Sequence, residues 1–183
     1  MTTTTKLEGN VMSENHPNIQ ERSNAMSETK TTKLDLAIYM SGLRYDEGLR
    51  LTPYKVSNGP WAIGYGHKLS KAELRRDLQI TLEQAEKLLL EDTIEAICVA
   101  RAVCGSECFN VLSLPRRSVL VNMAFHLGRH RLRQLKKFLT ALNKYDYNSA
   151  VAEMIKSKWL RQTGARARRL VGLMQYESDI SLR

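Results

Sequence analysis

The fold of this chain is indicated by one short stretch, YKVSNGPWAIGYGH, which occupies residues 54–67. Residues that favour β-strands lie on both sides of the group Ser57–Pro60. A cluster of Ser, Asn, Gly and Pro is typical of a tight turn. The stretch therefore predicts a small antiparallel sheet, with a strand before the turn and a second strand interrupted by Gly64 and Gly66.

Most of the remaining sequence has the apolar spacing of amphipathic helices. The first predicted helix is followed by Gly48, which favours a helix end. The group Thr81–Gln84 fits a capping box, which predicts the start of a long helix. Another helix is predicted to begin near Pro115 and to end at Gly128. The helices predicted in this way are 34–47, 81–103, 113–128, 132–143, 148–157 and 164–173.

Positive charge is concentrated in the last third of the chain. The 183 residues carry a net charge of +9. Residues 116–183 contain 15 Lys and Arg against 4 Asp and Glu, which gives this segment a net charge of +11. Such a surface favours a polyanionic partner, but charge alone does not distinguish nucleic acid, anionic lipid and an acidic cell-wall polymer.

The first 33 residues differ in composition from the rest. Residues 1–33 contain no Phe, Tyr or Trp and are rich in Thr, Ser, Asn and Glu. Such a segment cannot bury enough apolar surface to offset its ordering entropy, so we expect a flexible leader, with a tether or targeting arm as the alternative. No run approaches the roughly 18 apolar residues of a membrane span. A secretory signal is not evident either, so a cytoplasmic location is the expectation.

Three cysteines, Cys98, Cys104 and Cys108, cannot all pair with one another. Their spacing of six and then four residues, with no histidine between them, matches a zinc site poorly. We therefore expect free or buried thiols, no metal site and no cofactor.

Several motifs occur together in an order known from one family. The first is Asp46–Leu51, and the second is the stretch 54–67. Asn122–Gly128 and a basic segment that follows Trp159 complete the set. Together these motifs resemble the lysozymes of T-even bacteriophages and related phage endolysins over about residues 34–174. The resemblance implies an α+β, mostly helical fold, with a small β-containing N-lobe at about 45–80 and a connecting helix at about 81–103. The helical C-lobe would comprise about 104–183 together with the first helix, 34–47.

The resemblance also implies roles for individual residues in a muramidase. Glu47 would be the general acid, and Arg166 would reach it from the other lobe. His67 would form a structural pair with Asp92, although a lone histidine also has a metal-ligand interpretation. The residues implied in substrate binding are Gly66, Phe125, Phe138, Glu153 and Arg166.

Two positions depart from the family pattern inside the well-matched stretch. Val56 stands where the family has the catalytic Asp, and Ala62 stands where it has a Thr that helps to hold the attacking water. Glycoside hydrolysis requires both an acid and a second carboxylate that acts as nucleophile or base. Neither Val56 nor Ala62 supplies such a group, and Glu153 is the candidate substitute.

Three functions remain open at this point. The first is a lysozyme-shaped binder of peptidoglycan glycan or of a wall-associated partner, with lost or strongly weakened hydrolysis. The second is an active muramidase that uses Glu47 with an unusual second group. The third, a nucleic-acid-binding protein, rests on charge alone. An endolysin-like protein would act at the cell wall after release from the cytoplasm. A protein partner is the further possibility for a basic run that the family lacks, formed by Arg129, Arg131, Arg133, Lys136 and Lys137.

Overall fold

The computed structural model describes residues 31–56, 59–75 and 77–176 of the chain. Residues 1–30 of the predicted leader therefore lie outside the described residues. The first helix, α1, spans Lys33–Glu47 and so begins one residue before its predicted start. The Thr32 side chain accepts a hydrogen bond from the Asp35 amide, and the Asp35 carboxylate accepts one from the Thr32 amide. This capping box explains why the helix starts there.

A three-stranded antiparallel sheet follows α1. Its strands are β1 (Arg50–Lys55), β2 (Trp61–Gly64) and β3 (His67–Lys68), hydrogen-bonded in that order. The first two strands are the predicted hairpin, in which Tyr54 pairs with Ala62. The short third strand returns through Gly66, whose φ of +90° favours glycine.

The long helix α2 spans Leu82–Cys104, close to its predicted bounds of 81–103. Its predicted capping box is present, because the Thr81 hydroxyl accepts from the Gln84 amide and the Gln84 side chain accepts from the Thr81 amide. The helix is tied to α1 by Arg44, whose Nε donates to Glu86 at 2.9 Å. Glu86 also accepts from the Tyr65 hydroxyl, so one carboxylate joins α1, α2 and the sheet region.

Replacing Thr81 with alanine is expected to lower the free energy of unfolding by about 1 kcal/mol, because the cap of a long helix is lost. Ser113 provides a matched control, since it precedes the helix that begins at Leu114 without making a side-chain cap bond. Urea denaturation of Thr81→Ala and Ser113→Ala measures both costs. Equal costs for the two variants would show that the Thr81 cap contributes nothing specific.

The rest of the described chain is helical. Among the described residues, no helix has both the length and the apolar character needed to cross a membrane. The remaining helices are α3 (Ser106–Val111), α4 (Leu114–Arg133), α5 (Lys136–Asn143), α6 (Tyr147–Lys156), α7 (Lys158–Thr163) and α8 (Ala165–Gln175).

The helix boundaries near Gly128 differ from the predictions. Gly128 interrupts α4 as expected, with φ of +71° and ψ of 170°, but the chain returns to a helical turn afterwards and continues to Arg133. The predicted helix over 132–143 is therefore wrong at its start. Leu132 belongs to the end of α4, and Leu135 has a non-helical conformation, so α5 begins at Lys136.

The apolar side chains form two clusters. The larger one lies among α2, α4 and the helices that follow, and the smaller one contains Leu43, Tyr65, Ala85 and Leu89. Phe125, on α4, packs against both clusters. The sheet region and the helical region therefore meet at Phe125, and the end of α1 lies near this junction.

Candidate active site

Glu47 is the last residue of α1 and carries a partly exposed carboxylate. Arg166, from α8, donates to Glu47 Oε1 through Nη2 at 2.7 Å. The contact implied by the resemblance is thus present, although 119 residues separate the two positions in sequence. A carboxylate held by one arginine and still open to solvent can exchange a proton with a bound molecule.

The neighbouring Asp46 is the centre of a buried polar network that the sequence analysis missed. Its side chain is 1% exposed and accepts hydrogen bonds from Arg169 and, at 2.7 Å, from Asn122 Nδ2. Arg166 Nε donates to Asn122 Oδ1 at 2.9 Å. The network joins α1, α4 and α8 and fixes the guanidinium that contacts Glu47. The spacing of Arg166 and Arg169, three residues apart on a helix, is the signal that could have revealed it.

Glu47, Gly66 and Phe125 border one surface, called here the Glu47 cleft. A Cβ atom built on Gly66 would lie 3.6 Å from Glu47 Oε2 and 3.9 Å from Phe125 Cε1. The glycine backbone therefore approaches the carboxylate with no side chain between them. Gly66 and Phe125 also line a cavity of about 860 Å³ that extends away from Glu47. A cavity of this size is typical of small-ligand sites.

Tyr54 is a further polar group close to Glu47. Burial raises the pKa of Tyr54, and the negative charge of Glu47 raises it further. The phenol is therefore protonated at neutral pH. It can donate a hydrogen bond, but it cannot act as an anionic base or nucleophile.

The two departures from the family pattern have different environments. Val56 follows β1 and is 42% exposed, whereas Ala62, on β2, is 0% exposed. A polar group at position 56 would be hydrated, but a polar group at position 62 would be enclosed by protein. The sequence alone gives no sign of this difference. Ser57 and Asn58, the polar residues next to Val56, lie outside the described residues.

His67 and Asp92 form the pair that the resemblance implies. The His67 Nδ1 atom lies 3.0 Å from Asp92 Oδ2. The hydrogen bond with Asp92 raises the pKa of His67 above its usual value, against the opposing effect of burial. Both residues also border the 860 Å³ cavity. Among the described residues, no cluster of three or more His, Cys, Asp or Glu side chains has the arrangement of a metal site.

Replacing Asp92 with asparagine is expected to destabilise the protein more at low than at high pH. Because the pKa of His67 is raised in the folded state, the charged pair stabilises the folded protein fully at pH values below the unfolded pKa of histidine, about 6.5. This stabilisation disappears as the pH rises through the pKa of His67 in the folded state. We expect a cost of about 1.5–3 kcal/mol near pH 5.5 and a smaller one near pH 9. Urea denaturation at both pH values tests this. A cost independent of pH would contradict a charged pair.

Phe138 and Glu153, two of the residues expected to bind substrate, have different environments. Phe138 is 2% exposed and belongs to the larger apolar cluster, so the expectation that it binds substrate is wrong. Phe138, Ala141 and Leu142 are the buried residues of α5. Their spacing of three and four positions places them on one face of the helix, which faces the core. Glu153 forms a surface pair with Lys156 at 3.2 Å on its own helix. Its proposed role as a substitute base stays a prediction.

The basic run divides into two parts. Arg129 and Arg131, at the end of α4, line the 860 Å³ cavity. Arg133, Lys136 and Lys137 are exposed but do not border it. The expected protein partner of this run stays a prediction.

Two further titratable groups, His126 and Cys104, have pKa values shifted so that both are uncharged at neutral pH. Burial, followed by the charge of Arg166, lowers the pKa of His126 to about 4, so its Nδ1 can accept from Arg166 Nη1 at 3.3 Å. Burial raises the pKa of the Cys104 thiol to about 12. Cys104 and Cys108 are both buried thiols.

Comparison with known proteins places these features in context. A family model described as phage lysozyme matches residues 44–177. A probable T4-type lysozyme 2 of Dictyostelium discoideum is 26% identical over 154 residues, which covers 73% of this chain and 91% of the relative. An endolysin of Acyrthosiphon pisum secondary endosymbiont phage 1 is 32% identical over 120 residues, which covers 66% of this chain and 77% of the relative. The peptidoglycan hydrolase gp36 of Pseudomonas phage phiKMV is 28% identical over 158 residues, covering 86% of this chain but 17% of the relative.

Proposed function

The chain belongs to the phage lysozyme family, and on that premise we propose that it binds the glycan of peptidoglycan at the Glu47 cleft with lost or strongly weakened hydrolysis. Family membership supports a lysozyme-like function on peptidoglycan, and the mostly helical fold with its small sheet agrees with it. The weakened chemistry is the new part of the proposal. It rests on a single observation: Glu47 is retained and paired with Arg166, while Val56 occupies the place of the second carboxylate.

The chemistry explains why this observation matters. The general acid protonates the leaving oxygen, and a second carboxylate attacks the sugar or orients the attacking water. A valine does neither, and general base action alone contributes typically about 10²–10⁴-fold to a rate. Without that group, a bound glycan has a proton donor on one side and no anionic partner on the other.

Nearby groups are poor replacements for the missing carboxylate. Asp46 is buried and already accepts from Asn122 and Arg169. Tyr54 is protonated at neutral pH because its pKa is raised. Glu153 is the remaining candidate, and its contact in the structure is with Lys156.

The second candidate function is an active muramidase that acts on the wall after release from the cytoplasm. The intact Glu47–Arg166 pair favours it, as do the names lysozyme, endolysin and peptidoglycan hydrolase that the relatives carry. A nucleic-acid-binding function still rests on net charge alone.

Purified peptidoglycan distinguishes these two functions when retention and release of new reducing ends are measured together. For the wild type and Glu47→Gln, we expect equal retention on the insoluble wall and release of reducing ends at or near the background. Hydrolysis by the wild type that is lost in Glu47→Gln would overturn the proposal in favour of the muramidase. Glu153→Gln then tests the substitute base, since only a direct role in hydrolysis would make this conservative substitution at a partly exposed position inactivating.

A further inference from the structure

A second cavity lies against the sheet, away from the Glu47 cleft. It has a volume of about 710 Å³ and is bordered by β1, by β2 and by the segment that joins β3 to α2. Its apolar lining comes from Pro53, Trp61, Leu74 and Leu78. This size and an apolar wall are typical of small-ligand sites.

The pairing of the strands separates this cavity from the cleft. Tyr54 pairs with Ala62, and Lys55 pairs with Trp61. Because successive side chains of a strand point to opposite faces, Trp61 lies on one face of the sheet and Tyr54 lies on the other. The charge of Glu47 acts on Tyr54, whereas Glu47 does not border the cavity. A ligand in the cavity therefore leaves the Glu47 cleft free.

Trp61 presents an aromatic ring to this cavity. It is 38% exposed, although the three residues that follow it in β2 are buried. The Trp61 carbonyl accepts from the Leu69 amide at 2.8 Å, so the backbone that carries the indole is held in place. An indole held in this way offers an apolar face to a ligand at little cost in conformational entropy.

The polar side chains of the cavity comprise both charges and an amide. Arg75, Asp77 and Gln79 border it, and the charges of the first two cancel. Within the described residues, neither charged side chain forms a salt bridge. The Ile80 amide donates to the Leu51 carbonyl at 3.0 Å, which holds this segment beside β1.

This combination of groups restricts the class of ligand. A polyanion is repelled by Asp77, and a polycation is repelled by Arg75. A wholly apolar segment would bury both charges without partners, which is costly. A pyranose sugar satisfies every group, because its face of C–H bonds can cover an indole and its hydroxyls both donate and accept.

We propose that this cavity is a second glycan site, which binds an uncharged N-acetylated sugar by stacking it on Trp61. The proposal rests on the proposed function, since the same polymer supplies the sugar. Arg75 donates to the sugar, Asp77 accepts from its hydroxyls, and no bond is broken there. The insoluble wall offers many sugar chains, so the cleft and the second site can be occupied together. Two occupied sites raise retention on the wall above that of either site alone.

Retention on purified peptidoglycan and a titration with a soluble probe test this proposal together. The probe is the uncharged trisaccharide of N-acetylglucosamine, and tryptophan emission reports its binding. The variants are Trp61→Ala, Trp61→Tyr and Asp77→Ala. The control is Tyr176→Ala, which removes an aromatic side chain that is 59% exposed and lies outside the cavity. The other tryptophan, Trp159, is 4% exposed, so a stacked sugar acts on the emission of Trp61.

We expect Trp61→Ala to weaken retention by at least about 10-fold and Trp61→Tyr to keep it within about 3-fold, because tyrosine still provides a ring. Tyr176→Ala should be retained as the wild type is. The trisaccharide should change the emission of the wild type but not that of Trp61→Tyr, and it should bind more weakly to Asp77→Ala.

The outcomes for the second site and for the proposed function can be told apart. If the wall retains the wild type and Trp61→Ala equally, or if the trisaccharide leaves the emission unchanged, the second site is overturned and the proposed function stands. Emission that changes with protein concentration and not with sugar also overturns it, because a second copy of the chain then covers the indole. A wild type that the wall does not retain overturns the proposed function, and the emission titration then decides on the second site alone.

Discussion

Replacing Val56 with aspartate is expected to raise glycan hydrolysis by about 10²–10⁴-fold over the wild-type rate or the assay background. The substitution places a carboxylate where the family has one, and the proposed acid Glu47 is already in contact with Arg166. Because Val56 is 42% exposed, an aspartate there is hydrated and charged without a burial cost. The gain should therefore appear without loss of folding stability.

The controls isolate the carboxylate itself. Val56→Asn has a similar shape and no charge, and it should stay at the wild-type rate. Val56→Asp combined with Glu47→Gln should lose the gain, because the proton donor is removed. The rate at which each variant releases reducing ends from peptidoglycan measures its hydrolytic activity. A folded Val56→Asp protein no faster than Val56→Asn would contradict the proposal that a missing carboxylate limits hydrolysis.

The second departure, at Ala62, is expected to respond differently. Ala62 is 0% exposed, so Ala62→Thr adds two heavy atoms and a hydroxyl to a packed position. Overpacking of this kind costs typically about 1–3 kcal/mol. The double change Val56→Asp/Ala62→Thr should thus be less stable than Val56→Asp, which makes the single aspartate the better test of the chemistry.

Replacing Asp46 with asparagine is expected to lower the free energy of unfolding by about 3–5 kcal/mol, because it removes one member of a buried charge network. Asp46 accepts from Asn122 and Arg169, and its Oδ2 lies 3.6 Å from Arg166 Nε. An amide in its place cannot accept all of these bonds and leaves the two arginines without their shared anion. Domains are typically stable by only about 5–15 kcal/mol, so the effect is large.

Urea denaturation measures this cost, and the chain supplies a matched control. Glu153→Gln neutralises a surface carboxylate paired with Lys156 and should cost no more than about 1 kcal/mol. Because Arg169 contacts Asp46 directly, the cost of Asp46→Asn should be smaller in an Arg169→Gln background. Costs of equal size for Asp46→Asn and Glu153→Gln would show that the network does not join the helices as described.

The sequence by itself determined the elements and the family. The alternating strand residues of 54–67 and the cap at Thr81 depend on neighbours within a few positions, so they could be read locally. The resemblance of these stretches to the family led to the proposal that Glu47 is the retained acid and that Val56 replaces its partner. Arg166 and the His67–Asp92 pair were reached through the family resemblance, since no local pattern joins residues so far apart.

The tertiary structure decided which of these side chains are buried and which meet. Ala62 and Phe138 occupy positions that the family pattern assigns to the cleft, but packing of the sheet and of α5 encloses both. Asp46 became the centre of a network because three helices converge on it, and Arg129 and Arg131, which follow the break at Gly128, border the same cavity as acidic residues of α2. Such contacts join residues distant in sequence. Burial and charge pairing there depend on how helices pack, and no local pattern records that.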